Sequence, residues 1–396
     1  VRRYSIRKCE QWFLERMNDR HGIGGIFPAM VNVYESLVIL GYPKEDPKRK
    51  LARQAIDALL VQHDNSMYCQ PCVSPIWDTA LVSQALIETD KDQQTSSEIK
   101  NALNWLKEQQ LGDEPGDWRI QKPELQGGGW AFQYSNYYYP DLDDTSMVAW
   151  AMHRVNSKEY LEPIKRAANW VAGMQSRGGG FGSFDINNTH FYLNEIPFAD
   201  HGALLDPPTA DVTGRAIALL SLADREKYTK NIEEGINYIK SEQENDGSWF
   251  GRWGTNYIYG TWSVLTALEI AKENPQQNYI RKAIEYFQKI QNDDGGWGES
   301  NDSYYPPKHY RPYKSTAFQT SWVLLALLAA GEIKTNTVRK GINYLISNQL
   351  SNSQWYDESF TAPGFPRVFY LKYHGYSKYF PLWALARYRN LLQKIN

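Results

Sequence analysis

The stretches GINYIKSEQENDGSW (residues 235–249) and AIEYFQKIQNDDGGW (residues 283–297) follow one plan. In each, apolar residues at helical spacing run up to a glutamine, a polar turn containing glycine follows, and a tryptophan stands six residues after the glutamine. AANWVAGMQSRGGGF (167–181) and GINYLISNQLSNSQW (341–355) repeat the plan with Phe181 and Trp355 in the aromatic place, and ALNWLKEQQ (102–110) supplies a fifth helix ending in glutamine. Glycine permits the left-handed backbone that stops a helix, so the aromatic can fold back over the helix end. Between these units lie TWSVLTALEIAKE (261–273) and TSWVLLALLAAGE (320–332), whose apolar faces are broad enough for an inner layer. Outer and inner helices thus alternate, with the glutamines 48 to 68 residues apart. The pattern predicts an all-α fold, a closed double ring of helices or α/α barrel with Gln-Trp-type repeats. An open helical solenoid for protein binding would carry the same repeat but would not need the long, aromatic-rich insertions between units.

Composition narrows the function. Of 396 residues, 43 are Lys or Arg and 45 Asp or Glu, so there is no electrostatic footprint for nucleic acid. The 14 Trp and 27 Tyr exceed what a core needs and point to a lined cavity. Cys9, Cys69 and Cys72 are too few for a disulfide framework and fit a reducing cytoplasm. The CQPC pair is read as packed or loop thiols, since no second CxxC or clustered His pair accompanies it. No apolar run reaches the length of about 18 residues that a spanning helix needs, and no signal peptide is visible. The chain opens on VRRYSIRKCEQWFLERM, an amphipathic helix pattern with no initiator Met, and is read as a piece of a longer protein. A helical stretch VNVYESLVILGY (31–42), preceded by GIGGIFPAM (22–30), a charged break PKEDPKRK (43–50) and a further helix lead to HDNSMYCQPC (63–72), where the main barrel is expected to begin.

The stretch YYYPDLDDTSMVAW (137–150) crowds Asp141, Asp143 and Asp144 ahead of an apolar helix. Aspartates there are what capping and the helix dipole favour, and for an isolated DLDD that reading would suffice. Here the Gly-rich, aromatic segment QGGGWAFQYSNYYYP (126–140) leads in, which surrounds the carboxyls with aromatic side chains. A carboxyl held near two others and away from water has its pKa raised and keeps its proton at neutral pH.

Taken together, GGWAFQYSNYYYPDLDDT, the repeated Gln-to-Trp turns, DPPTADVTGR (206–215), GSWFGRWGTNYIYGT (247–261) and GFPRVFYLKYHGYSKYFPLWALARY (364–388) resemble the squalene–hopene cyclase family, along essentially the whole chain and in one order. The resemblance implies two α/α-barrel domains enclosing an apolar cavity, residues 1–65 being a remnant of the second barrel and 66–396 the catalytic barrel. It also implies a class II, protonation-initiated polyprene cyclase. Its D-x-D-D motif falls on Asp141, Asp143 and Asp144, with Asp143 the acid that protonates a terminal alkene. The family's assisting Asp falls on Asp211, but the His one helical turn on is Arg215 here. A permanent cation would pull the pKa of Asp143 down unless Asp211 neutralises it, so an Asp211–Arg215 pair at i, i+4 is expected. By the same resemblance Trp77, Phe132, Phe184, Trp253, Tyr259, Phe365, Phe369, Tyr373 and Tyr376 line the substrate cavity, where aromatic faces attract a carbocation without bonding to it. Trp249, Trp297 and Trp355 of the glutamine turns are assigned to structure.

Neither a cofactor nor a metal ion is expected. The implied partner is a polyprenyl hydrocarbon, and with it a cytoplasmic protein in peripheral, monotopic contact with the membrane, for which residues 24–39 offer apolar surface; packing between domains would explain that segment equally, and a homodimer is left open. Arg215, and Phe184 where the family usually has Tyr, direct the substrate expectation to tetraprenyl-β-curcumene, giving the hydroxylated product sporulenol, with squalene to hopene or hopanol as the alternative. Competing classes are an inverting glycosidase, which needs two carboxyls across an open cleft, a zinc-dependent protein prenyltransferase subunit, for which no Asp/Cys/His set is visible, and a non-catalytic helical scaffold.

Overall fold

The structure is a computed structural model that describes residues 1–90, 96–155, 158–196 and 204–395. It is mostly helical. Helices α1 (Arg2–Glu15), α2 (Phe27–Ile39) and α3 (Pro47–Asp57) precede a hairpin of β1 (Leu60–His63) and β2 (Ser66–Cys69). Six helices then build an inner ring: α4 (Pro75–Thr89), α6 (Leu142–Arg154), α8 (Ala210–Asp224), α10 (Tyr257–Ile270), α12 (Ala317–Ala329) and α14 (Tyr376–Ile395). Each packs on the next, and α14 returns to α4, so the ring closes. Outside it stand α5 (Ser97–Glu108), α7 (Leu161–Gly173), α9 (Thr229–Ser241), α11 (Asn278–Lys289) and α13 (Asn336–Ser347). This is the α/α barrel expected from the repeat. The inner helices are apolar nearly all round, as burial on both sides requires: α12 is buried at every position from Ala317 to Leu328. The outer helices bury one stripe, as in Ile280, Ala283, Ile284 and Phe287 of α11.

The glutamine turns are the fasteners. Gln243 Nε2 donates to Gly247 O (2.9 Å) within its own turn and to Tyr279 O (2.7 Å) at the start of the next outer helix. Gln175 and Gln291 do the same to Gly179 and Asn231 and to Gly295 and Thr337. The aromatic folds back as expected: Trp249, Trp297 and Trp355 each donate Nε1–H to a carbonyl at the end of their own outer helix, at 2.7 to 2.8 Å. Its backbone N–H is taken by a threonine of the following inner helix, Thr261 for Trp249 and Thr320 for Trp297. One turn therefore joins three helices. The first unit hides its aromatic, because a long insertion separates Gln110 from Trp130, yet Trp130 makes the same bonds to Leu106 O and Thr145 Oγ1.

Glycine is required in these turns twice over. Gly179, Gly247 and Gly295 have φ of 87°, 97° and 88°, and a Cβ on Gly247 would lie 2.5 Å from Lys282 O of the next outer helix. In the last unit, after which the described residues hold no further outer helix, Ser353 occupies the corresponding site at φ 64°.

Two further strand pairs interrupt the helices among the described residues. β3 (Trp130–Ala131) pairs with β4 (Pro140–Asp141), which aims the acidic motif, and β5 (Ala362–Phe365) pairs with β6 (Phe369–Leu371). The N-terminal helices hold small apolar clusters of their own around Phe13, Val33 and Leu37 and around Met30, Ala55 and Leu59. They rest on the loop that delivers the acidic motif: Arg16, stacked between Trp12 (4.3 Å) and Tyr138 (4.8 Å), pairs with Asp117, and Gln133 donates to Gly25 O. In α2, Met30, Val33 and Leu37 are buried, and Val38 and Ile39 are exposed. Among the described residues no helix is long and apolar enough to cross a membrane. The CQPC cysteines are free thiols beside β2, and burial pushes the Cys72 thiol up to about 12.

Because Gly247 combines a left-handed backbone with a close helix approach, Gly247→Ala is expected to destabilise the chain by about 2–4 kcal/mol. Ser353→Gly, which only relieves a strained φ, is expected to be neutral or to stabilise by up to about 1 kcal/mol. Denaturant midpoints of the two variants check the contrast.

Candidate active site

α6 begins at the acidic motif because Asp141 is its N-cap: the Asp141 carboxylate accepts the N–H of Asp144 at 2.7 Å, and Thr145 Oγ1 donates back to Asp141 O. The capping reading of DLDD is thus correct for Asp141. It frees Asp143, in the first turn, to face α8 and α10. Asp143 is 7% exposed and Asp144 2%. Burial pushes all three carboxyls up. Asp141 and Asp144 share a titration in which the capping bonds favour charge on Asp141 and repulsion from it pushes Asp144 far up, so the proton sits on Asp144.

Asp143 rises to about 7. Burial drives the increase, the Arg215 cation opposes it, Asp211 and Asp141 add to it, and a hydrogen bond from Tyr259 draws it back slightly. That bond is long, Tyr259 Oη donating to Asp143 Oδ2 at 3.4 Å. Arg215 Nε lies 3.3 Å from Asp143 Oδ1, yet neither atom makes a hydrogen bond. The contact is Coulombic without a directed N–H, which is why the cation fails to hold the carboxyl in its charged form.

The expected Asp211–Arg215 ion pair does not form. Among the described residues the one carboxylate within ion-pair distance of Arg215 is Asp143. Asp211, in the first turn of α8, instead accepts two backbone N–H groups with Oδ2, from Arg252 at 2.8 Å and Trp253 at 3.0 Å. The spacing puts Asp211 and Arg215 on one face of α8, but the Asp211 carboxylate is engaged by these two backbone amides instead. Arg215 then turns to α6 and lays its guanidinium over Trp262 at 4.2 Å and near Tyr259 at 5.9 Å.

The aromatic candidates gather into connected groups. Trp77 Nε1 donates to Tyr376 Oη at 2.9 Å, Tyr376 stacks on Tyr373 at 4.4 Å, and Phe132 meets Tyr373 edge to face at 6.4 Å. Phe184 meets Trp253 at 6.0 Å, with Trp253 Nε1 donating to Ser183 Oγ. Phe365 and Phe369 form a third pair at 6.2 Å. Tyr259 joins the acid to Trp322 at 5.1 Å, and Trp322 meets Tyr376 at 5.7 Å. Phe132, Phe184, Trp253, Phe365, Phe369 and Tyr373 are only partly buried inside an otherwise dense fold, whereas Trp77, Tyr259 and Tyr376 are buried.

Sequence reading missed Trp262 and Trp322, which stack in parallel at 5.6 Å beside Arg215. Their signal was available, since each sits one or two positions after the threonine that grips a turn aromatic, on an inner helix. It also missed Asp206, whose carboxylate accepts the N–H groups of Ser183, Phe184 and Asp185 and so places Phe184.

Comparison with known proteins follows this geometry. The family model for the squalene–hopene cyclase C-terminal domain matches residues 73–390, and that for the N-terminal domain matches residues 1–65. The chain belongs to the squalene–hopene cyclase family. It is 50% identical over 99% of its length to a squalene–hopene cyclase of Zymomonas mobilis and 36% identical over 99% to one of Alicyclobacillus acidocaldarius. It spans 61% and 62% of those two proteins, about three fifths of the curated relatives' length. Among solved structures it resembles the type II terpene cyclase MstE from Scytonema, with a TM-score of 0.52 and 16% identity, over 84% of this chain and 92% of that one. For ent-copalyl diphosphate synthase from Streptomyces platensis the TM-score is 0.57, at 16% identity over 88% and 56%. Those two likenesses concern the fold alone.

Removing the cation should expose its electrostatic effect. Without Arg215 the Asp143 carboxyl loses the group that lowers its pKa, so in Arg215→Gln the descending limb of the pH–rate profile moves to higher pH by roughly 1–2 units. With Asp143 as the proton donor, the plateau rate of the full-length variant would fall on the order of 10–100-fold, because the carboxylate left after transfer would lack its counter-charge. A profile of kcat/KM with unmoved limbs would show that Arg215 does not act on the acid.

Proposed function

We propose that the full-length protein is a class II polyprene cyclase in which Asp143 protonates the terminal alkene of squalene, and that ring closure yields a hopene-type pentacycle. The observation that carries this reading is Asp143 itself, a buried carboxyl raised to about 7 beside an undirected cation and among aromatic faces. The Asp143 O–H proton adds to the terminal double bond, whose π electrons form the new C–H bond and leave a tertiary cation. The electron pair of the broken O–H bond stays on Asp143, next to Arg215. Protonating an alkene is steeply uphill, and each pKa unit of mismatch costs about 1.4 kcal/mol. The nearby guanidinium offsets part of that as charge develops on the carboxylate, while in the resting state its weak geometry leaves the proton in place. Successive alkenes then attack the cation intramolecularly, held by aromatic faces that stabilise charge without capturing it. Loss of a proton or capture of water ends the sequence.

Squalene is preferred to tetraprenyl-β-curcumene because relatives with about half their residues identical, such as the proteins of Zymomonas mobilis and Sinorhizobium fredii, are named squalene–hopene cyclases or probable ones. The departures Arg215 and Phe184, which point toward tetraprenyl-β-curcumene and sporulenol, weigh less than that identity. A hydrocarbon insoluble in water is delivered from a bilayer, so peripheral membrane contact accompanies the reading. In this reading residues 1–65 are a remnant of the second barrel and residues 66–396 are the catalytic barrel.

The test is conversion of squalene, and separately of tetraprenyl-β-curcumene, by the full-length protein and by Asp143→Asn. The parent is expected to convert squalene, and the variant to lose activity by about 10³-fold or more, since an amide has no proton to give. Parent-level turnover by Asp143→Asn would assign the acid elsewhere. The rate should also fall as pH rises through about 7, where Asp143 loses its proton. Linkage has the same sign: a folded pKa raised above the unfolded carboxyl value makes stability fall as pH rises from about 4 to that value.

A further inference from the structure

Arg252 joins Asp211, a neighbour whose charge acts on the acid, to the aromatic hairpin, and its bonds run to both. On one side its N–H, with that of Trp253, is held by Asp211, whose charge raises the pKa of Asp143. On the other its guanidinium reaches β5, Nη1 donating to Pro363 O and Nη2 to Gly364 O, both at 2.9 Å. The guanidinium also lies over Trp253 at 4.1 Å, which fixes the plane of that ring. The two carbonyls it grips are those of an irregularity in the β5–β6 ladder, between Pro363 and Phe365. At that irregularity the backbone touches an aromatic: a Cβ on Gly364 would lie 2.5 Å from the ring of Phe369. A shift of the Pro363–Gly364 carbonyls therefore shifts Phe369 and its neighbour Phe365.

The rest of the loop is caged, so Arg252 has a rigid base to pull from. Tyr304 Oη lies 2.8 Å from both Gly251 O and Gly254 O, which share its one O–H donor, and Thr255 N donates to Thr361 O at 2.8 Å. Only a guanidinium offers two parallel N–H groups to successive carbonyls while stacking on an indole; an ammonium is a point donor and an amide carries one short donor group.

We propose that Arg252 is a specificity-determining positioning residue: by clamping the irregular turn of β5 to the loop held by Asp211, it sets the separation between the protonating acid and the Phe365–Phe369 pair, and through it how many rings close before the cation is quenched. The proposal rests on the squalene-cyclase reading above. A cation whose stabilising face has moved persists at an earlier ring and loses a proton there, so the effect falls on product identity more than on initiation. Arg252 touches no reacting atom in this scheme.

The experiment compares full-length parent, Arg252→Lys and Arg252→Gln with squalene, reading total substrate consumed and the share of mono- to tetracyclic products. The product ratio is independent of how much enzyme is folded, so a loss of stability does not obscure it. Because a misplacement of about 1 Å can change a step by 10²-fold, the incompletely cyclised share is expected to rise at least about tenfold in Arg252→Gln, with consumption falling less than that. Arg252→Lys, which keeps the charge and one bond, should fall between. An unchanged product ratio in both variants overturns the proposal and leaves the cyclase reading standing. A parent that consumes no squalene overturns the reading and the proposal together.

Discussion

The acidic cluster is organised around one contact, a buried carboxyl whose pKa is raised although a guanidinium lies 3.3 Å away. A well-aligned Arg–Asp pair would be charged at every pH of interest. The fold avoids this by depriving the pair of hydrogen-bond geometry, by burying Asp143 and by surrounding it with other carboxyls. It also occupies the guanidinium elsewhere, over Trp262. Asp141 contributes from a distance: having been spent as the cap of α6, it is the charged member of the cluster, and Asp143 bears the repulsion.

The barrel makes such an arrangement durable. An apolar inner ring can tolerate a few buried ionisable groups only if the backbone around them cannot relax. The turns supply that rigidity by bonding each aromatic to the end of one helix, the threonine of the next inner helix and, through glutamine, the start of the next outer helix. Asp206 and Asp211 apply the same device at smaller scale, each using a carboxylate to gather consecutive N–H groups of a loop that carries an aromatic.

The fold was legible because its periodicity is strong: helices ending in Gln, a six-residue step and an aromatic leave few alternatives. The first unit was incomplete in that reading, since an insertion moves Trp130 away from Gln110 while the bonds persist. The acidic motif was legible as a motif, and the aromatic positions came with the resemblance. The partner of Arg215 was not. Spacing of four places Asp211 on the same helix side as Arg215, but which acceptor wins depends on the 252–253 amides, more than thirty residues further along the chain, and no local pattern reports them. Trp262 and Trp322 were overlooked for the opposite reason, because an aromatic on an apolar inner helix reads as ordinary core.

The repeat also ends asymmetrically. Among the described residues six inner helices close on themselves through α14 and α4, while five outer helices are joined in sequence by their glutamines, and Gln349 donates to Ser353 O of its own turn. The molecule is therefore a hoop dressed with a strap whose ends do not meet. The hoop has no terminus from which to fray. The side chains that touch Asp143 come from α8 and α10, both members of the closed hoop, so the surroundings of the acid belong to the layer without a free end.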